Sequence, residues 1–244
     1  MDEELAGGNM SSVRRVGDTV VRNAGPWTVT IHRFLAHLHA AGIEWVPRAL
    51  SRDGDHEVLS FVVGDVPLYP LPAWVWSDEV LEDAARHLRA LHDASEGFDL
   101  AGAIWQVPSH PPLEVICHND FAPHNLAFEG GWIVGAIDFD TCSPGPRLWD
   151  IAYLATRIVP LTADQPAGAA PADQSRRRLQ LLLDAYGSDE DADEVVRMAI
   201  VRLRDLAEFS SRKASELAKP HLLADAAAYE RDATHLETVL DALR

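Results

Sequence analysis

Residues 115–155 read VICHNDFAPHNLAFEGGWIVGAIDFDTCSPGPRLWDIAYLA, and the alternation of apolar runs and polar breaks in this stretch decides the fold. Leu113, Val115, Ile116 and Cys117 form the kind of apolar run found in a buried strand, after which the chain breaks into a polar loop carrying His118, Asp120 and Asn125. Two more short apolar runs, residues 126–128 and 132–137, flank the turn Glu129-Gly130-Gly131 and predict a hairpin whose second arm ends at Asp138. Folding that hairpin back brings Asp138 close to Asn125, so oxygen-bearing side chains from distant positions converge on one small volume. Such a volume suits a hard cation.

The chemistry matched to this set is transfer of the terminal phosphoryl group of a nucleoside triphosphate. Mg²⁺ prefers oxygen ligands and takes one or two from protein and the rest from phosphate and water, a demand that Asn125 and Asp138 meet. Asp120 stands five positions before Asn125, the spacing of a kinase catalytic loop in which the Asp accepts the proton of the attacking hydroxyl. A plainer role is open to the same residues, because Asp and Asn side chains bond neighbouring backbone in ordinary turns. His124 reads as a solvent-facing or substrate-rim residue. Asp140, two residues past Asp138, reads either as a carboxylate supporting it or as the start of the next turn.

The succession His118-x-Asp120-x4-Asn125, Ile137-Asp138-Phe139, Gly145 and Asp150-Ile151-Ala152 resembles the signature of the aminoglycoside phosphotransferase family of small-molecule kinases. Order and spacing together carry the resemblance, which is clear over residues 45–155. It implies an α+β, protein-kinase-like two-lobed fold, with a small N-terminal β-sheet-plus-helix lobe (residues 1–64) for the nucleotide and a larger, mainly helical C-terminal lobe (residues 65–244) for catalysis and acceptor binding. It further implies Asp120 as catalytic base, Asn125 and Asp138 as Mg²⁺ ligands, His118 as organiser of the catalytic loop, and Asp150 as a brace for that loop from the following helix.

Toward the N-terminus, Gly7-Gly8-Asn9-Met10-Ser11-Ser12 is a flexible polar segment, the place where such a kinase covers phosphates with backbone N–H groups. A hairpin follows, residues 13–16 and 19–22 around Gly17-Asp18. Its second strand carries Arg22 where these kinases carry a phosphate-binding lysine, and the only lysines in the chain are Lys213 and Lys219. Arginine grips phosphate oxygens as a fork rather than as a point charge. Residues 28–41 have helical periodicity, with Gly42 as the stop, but offer no glutamate to pair with that cation. His32 stands nearest the expected position and Glu44 lies beyond the stop. His32, His37 and His39 do not share a helical face well enough to hold a metal.

Residues 48–50 and 57–63 predict two strands around Asp53-Gly54-Asp55. Gly64-Asp65-Val66-Pro67 marks a hinge, with the nucleotide base bonded to backbone around Phe61 to Val63. Residues 67–76, with Trp74 and Trp76, form an irregular apolar connector. Residues 78–95 predict a helix started by Asp78 and buried along Val80, Leu81, Ala84, Ala85, Leu88, Leu91 and His92. Helices are expected at residues 149–157, 173–186, 189–218 and 221–243, the last two separated by Pro220. Asp184, Asp205, Glu208 and Glu216 are the acids available there to meet a cationic acceptor, and Arg176-Arg177-Arg178 reads as surface.

With 244 residues, 47% of them hydrophobic, the chain can bury a sizeable core. Its net charge of −17 and isoelectric point near 4.9 speak against nucleic acid, which demands a basic face, and suit equally a cationic small molecule or an ordinary device for solubility. No run of 18 apolar residues predicts a membrane span, the acidic Met1-Asp2-Glu3-Glu4 start is unlike a signal peptide, and two cysteines make no disulfide framework, so a cytoplasmic location is expected. The functional expectation is transfer from ATP or GTP, with Mg²⁺, to a hydroxyl of a small molecule such as an aminoglycoside-type antibiotic. The alternatives are an inactive kinase-like binding or immunity module, or a kinase for choline, homoserine, a sugar or a macrolide.

Overall fold

The computed structural model describes residues 2–4, 13–164, 169 and 171–243, so the glycine-bearing segment at residues 7–12 lies outside the described residues. Five antiparallel strands open the chain: β1 (Asp2–Glu4), β2 (Val13–Val16), β3 (Thr19–Asn23), β4 (Ala49–Asp53) and β5 (His56–Ser60), in the spatial order β1-β2-β3-β5-β4. The β2–β3 turn holds Gly17 at φ +60, a conformation that glycine adopts without the clash a Cβ would bring. Between β3 and β4 runs α1 (Thr28–Ala40), which buries Ile31, Phe34, Leu35 and Leu38 and stops before Gly42 at φ +90. The predicted strands shift by a few residues. β5 ends at Ser60, beyond which the Phe61 N–H turns to the Asp18 carbonyl at 2.9 Å.

The helix α2 spans Asp78–Ser95, with the expected face buried down to His92. Its start is capped by Ser77, whose Oγ accepts from the Val80 N–H at 3.2 Å, and not by Asp78. Beyond it, β6 (Val115–Cys117) pairs with β9 (Ser143–Gly145), and β7 (Leu126–Glu129) pairs with β8 (Trp132–Ala136) as the predicted hairpin. Leu113, expected in the first of these strands, is 53% exposed and precedes it.

Four helices complete the chain: α3 (Arg147–Ile158), α4 (Ser175–Tyr186), α5 (Ala192–Glu216) and α6 (Leu222–Leu243). Asp191 caps α5 by accepting from the Glu194 N–H at 2.9 Å. α5 and α6 pack on one another across the break at Pro220. The basic run at the start of α4 is not wholly surface. Arg178 is 1% exposed, with one nitrogen 2.5 Å from Asp78 and another donating to the Ile158 carbonyl at 2.9 Å. Burial of its stem on α4 leaves the head no water, so it takes a carboxylate and a helix-end carbonyl instead. The chain divides into two compact units, Met1–Tyr69 with His87–Arg147, and Pro70–Arg86 with Leu148–Arg244. Both cysteines are buried and neither is in a disulfide, and no helix among the described residues is long and apolar enough to cross a membrane.

Candidate active site

The polar loop after β6 is held in shape by its own side chains. Asn119, at φ +66, donates to the Thr141 carbonyl at 2.7 Å and to Ser143 Oγ at 2.9 Å. His118 is fully buried. Its Nε2 bonds the Ile137 carbonyl at 3.0 Å and its Nδ1 accepts from the Asp120 N–H at 3.3 Å. A carbonyl only accepts and an amide only donates, so the ring is the neutral Nε2–H tautomer. The rings of Phe121 and Phe139 meet it edge-on at 5.7 and 4.8 Å between centroids. His118 thereby fastens the backbone before Asp138 to the backbone of Asp120, which makes it an organiser of the loop.

Asp120 reaches the surface, with 31% of its side chain exposed. Its Oδ2 accepts from Asn125 Nδ2 at 2.8 Å, and the same nitrogen donates to the Asp120 carbonyl at 2.9 Å. Asn125 sits at the end of the 3-10 turn Pro123–Asn125, and its carbonyl accepts from the Ile137 N–H at 2.9 Å. The hairpin β7–β8 therefore brings residue 137 against residue 125, as the sequence predicts. Asp138 follows at φ +65, with 51% of its side chain exposed. A left-handed backbone on a residue other than glycine costs on the order of 1–2 kcal/mol, a strain that the His118 and Asn125 bonds hold in place.

Arg22 meets three carboxylates. Its Nε is 2.8 Å from Glu57, one terminal nitrogen 3.2 Å from Asp138 and the other 2.6 Å from Asp140. Glu57 is 1% exposed and lies directly opposite Arg22 in the β3–β5 register, while His32 Nε2 from α1 bonds its second oxygen at 2.6 Å. The ion pair that α1 does not supply thus comes from the neighbouring strand, and the histidine at the expected helix position braces it. Burial alone would lower the Arg22 pKa, but Asp140, Glu57 and Asp138 outweigh it and hold the guanidinium above its ordinary value. Burial would likewise raise Glu57, yet His32 and Arg22 keep it below the usual carboxylate range. Asp140 goes the other way. Burial, with Asp138 and Glu57 nearby, pushes its pKa up to about 7 despite Arg22 and a bond from Trp27. Three acids sharing one guanidinium cannot all ionise freely.

Sequence reasoning missed Glu57, although a signal existed, since it alternates with Leu59 on the buried side of β5. At the hinge, the Phe61 ring carries the Arg15 guanidinium 3.6 Å above its centre, and Val63 is 77% exposed. Asp65 exchanges two backbone bonds with Phe128, at 2.8 and 2.9 Å, fastening the segment after Gly64 to β7. Of the acids on the C-terminal helices, Asp205 pairs with Arg202 and Glu216 with Lys213, Asp184 accepts from Gln180, and Glu208 lines a groove between α5 and α6.

The donor chemistry fits magnesium. Asn125 commits its Nδ2 to Asp120, so its amide oxygen is the atom that would meet an ion, and among the described residues Asp138 bonds Arg22 through Oδ1, with Oδ2 as its second oxygen. Both are hard oxygens of the kind this ion takes.

A sequence model of the phosphotransferase enzyme family matches residues 2–186. The chain belongs to that family. Within the curated proteins it is 30% identical over 194 residues, 75% of this chain and 73% of the other, to the trifolitoxin immunity protein of Rhizobium leguminosarum bv. trifolii. Among solved structures it is similar to a choline/ethanolamine kinase family protein from Mesorhizobium loti, with a TM-score of 0.68 at 17% identity over 97% of this chain and 87% of that one. The GDP and kanamycin complex of APH(2")-IIia gives a TM-score of 0.66 at 14% identity, covering 96% and 93%. The phosphotransferase family therefore has in this chain its α+β, protein-kinase-like fold, with an N-terminal antiparallel sheet and a mostly helical C-terminal part.

Proposed function

We propose that the protein is a Mg²⁺-dependent phosphotransferase that moves the terminal phosphoryl group of ATP or GTP to a hydroxyl of a small molecule, with a cationic aminoglycoside-type acceptor the first candidate. The observation that carries this reading is Asp120, partly exposed and oriented by Asn125 at 2.8 Å, on a loop tied to the half-exposed Asp138. Residues 1–64 are assigned to the nucleotide, through Arg22 and the hinge at Phe61 and Val63, and residues 65–244 to catalysis and acceptor. The Phe61 N–H is committed to Asp18, so base recognition falls to the rest of that hinge backbone.

Asp120 takes the proton of the attacking hydroxyl while the hydroxyl oxygen bonds the terminal phosphorus and the bond from that phosphorus to the bridging oxygen breaks, releasing the nucleoside diphosphate. Asn125 and Asp138 would hold Mg²⁺, which supplies charge neutralisation on the phosphate oxygens when bound. Arg22 adds a fork of donors, and His118 keeps Asp120 and Asp138 in register. Because the transition state is loose, orientation and fixed charge do most of the work.

The net charge of −17 supports a cationic acceptor. The kanamycin complex of a structural relative and the immunity role of a sequence relative support a part in antibiotic resistance or toxin immunity in the cytoplasm, where the triphosphate and Mg²⁺ are found. A choline, homoserine, sugar or macrolide acceptor uses the same nucleotide apparatus. A second reading, a kinase-like immunity module that binds without turnover, is favoured by the guanidinium of Arg22 being held by three carboxylates. An acceptor panel read by diphosphate release separates them. Acceptor-dependent release with ATP or GTP is expected, and triphosphate binding with no release against any hydroxylated acceptor selects the second reading.

A further inference from the structure

Asp120 has a side-chain neighbour at each of its carboxylate oxygens. Asn125 Nδ2 holds Oδ2 at 2.8 Å, and the Nε2 of His124, one residue earlier in the same 3-10 turn, lies 3.3 Å from Oδ1. The other ring nitrogen of His124, Nδ1, lies 3.4 Å from the Tyr69 hydroxyl, and the two rings sit 5.6 Å apart at 45°. In a neutral ring one nitrogen bears the hydrogen and the other the lone pair, and the arrangement that serves an ionised carboxylate has the hydrogen on Nε2 and the lone pair on Nδ1, facing the tyrosine O–H.

Resting on the phosphotransfer reading, we propose that His124 is a positioning residue for the catalytic base, with Tyr69 fixing its tautomer. A carboxylate held at one oxygen turns about its Cβ–Cγ bond, whereas one held at both presents its remaining lone pairs in a single direction. Asn125 reaches one of the two oxygens, and His124 stands beside the other. The acceptor hydroxyl then meets a base whose plane is set before binding, the condition under which orientation contributes to rate. His124 touches neither phosphate nor acceptor in this role and acts through Asp120.

The test uses the full chain, Mg²⁺ with ATP and with GTP, and water as the acceptor, so that no acceptor need be known. His124→Ala is expected to lower the hydrolytic kcat by about 10- to 100-fold, the scale of losing precise orientation, with the nucleotide KM unchanged within about twofold. His124→Gln, which restores a side-chain N–H donor, is expected to recover most of the rate. Thermal melting of both variants checks folding. Long-range ¹H–¹⁵N spectra of the wild type are expected to show His124 as the Nε2–H tautomer, with its Nδ1 resonance moving in Tyr69→Phe and its Nε2 resonance moving in Asp120→Asn. His124→Ala turning over at the wild-type rate, or an Nδ1–H tautomer, overturns this inference alone. A wild type that binds neither triphosphate overturns the phosphotransfer reading and this inference with it.

Discussion

Replacing Glu57 by Gln tests the network that stands in for the usual lysine and helix glutamate. Glu57 is 1% exposed and is bonded by Arg22 at 2.8 Å and by His32 at 2.6 Å. Removing one member of a buried ion pair costs about 3–5 kcal/mol, because the other is left charged and desolvated. Arg22 retains Asp138 and Asp140, and glutamine still offers an oxygen, so the lower end, about 3 kcal/mol, applies here. For a chain of this size each kcal/mol moves the melting temperature by about 2–4 °C, giving a fall of about 6–12 °C. Thermal melts followed by circular dichroism at neutral pH measure it. The sign with pH is fixed by the lowered folded-state pKa of Glu57. Its contribution is complete above the unfolded carboxylate pKa and is lost as pH falls through the folded one, so the gap between variant and wild type should close in acid. A Glu57→Gln protein melting within about 1 °C of wild type at neutral pH would falsify the buried network.

Three further predictions follow from the same geometry. Asp140 has its folded pKa raised to about 7, so its stabilising effect is complete below the unfolded carboxylate pKa and fades as pH rises toward neutrality. The melting temperature of wild type relative to Asp140→Asn should fall between about pH 4 and pH 7, and a constant difference refutes the raised pKa. Asp138→Ala should abolish transfer and Mg²⁺-dependent nucleotide binding while melting within a few degrees of wild type, because its side chain is half exposed; Mg²⁺-dependent affinity retained in calorimetry removes it from the metal site. Gly135→Ala should destabilise by about 1–3 kcal/mol in chemical denaturation, since a Cβ there would lie 2.2 Å from a Val62 methyl carbon and 3.2 Å from the Trp45 carbonyl. Unchanged stability would mean that hinge and hairpin do not pack as closely as described.

What the sequence made legible is what depends on local pattern. The apolar run into β6, the glycine turn between β7 and β8 and the periodicity of α2 each follow from spacing over a few residues, so the polar loop after β6 and the return of residue 137 to residue 125 are readable before any coordinates. The features that escaped depend on what lies across a sheet or on a distant helix. Glu57 becomes the partner of Arg22 only through the β3–β5 register, and Arg178 becomes buried only because Asp78 and the end of α3 receive it. The left-handed backbone at Asn119 and Asp138 leaves no trace in residue type beyond a weak Asx preference. His124 looked like a rim residue because its contact with Asp120 depends on the 3-10 turn rather than on composition.

The central claim is that Asp120 takes a proton while the terminal phosphoryl group passes to an alcohol. The most direct test is ³¹P NMR of ATP and of GTP incubated with Mg²⁺, a pool of hydroxylated acceptors and either wild-type protein or Asp120→Asn. The account predicts a new phosphate-ester resonance with wild type, and its loss in the variant while triphosphate affinity stays the same. A variant that forms the ester as fast as wild type, or a wild type that leaves both triphosphates intact with every acceptor, contradicts it.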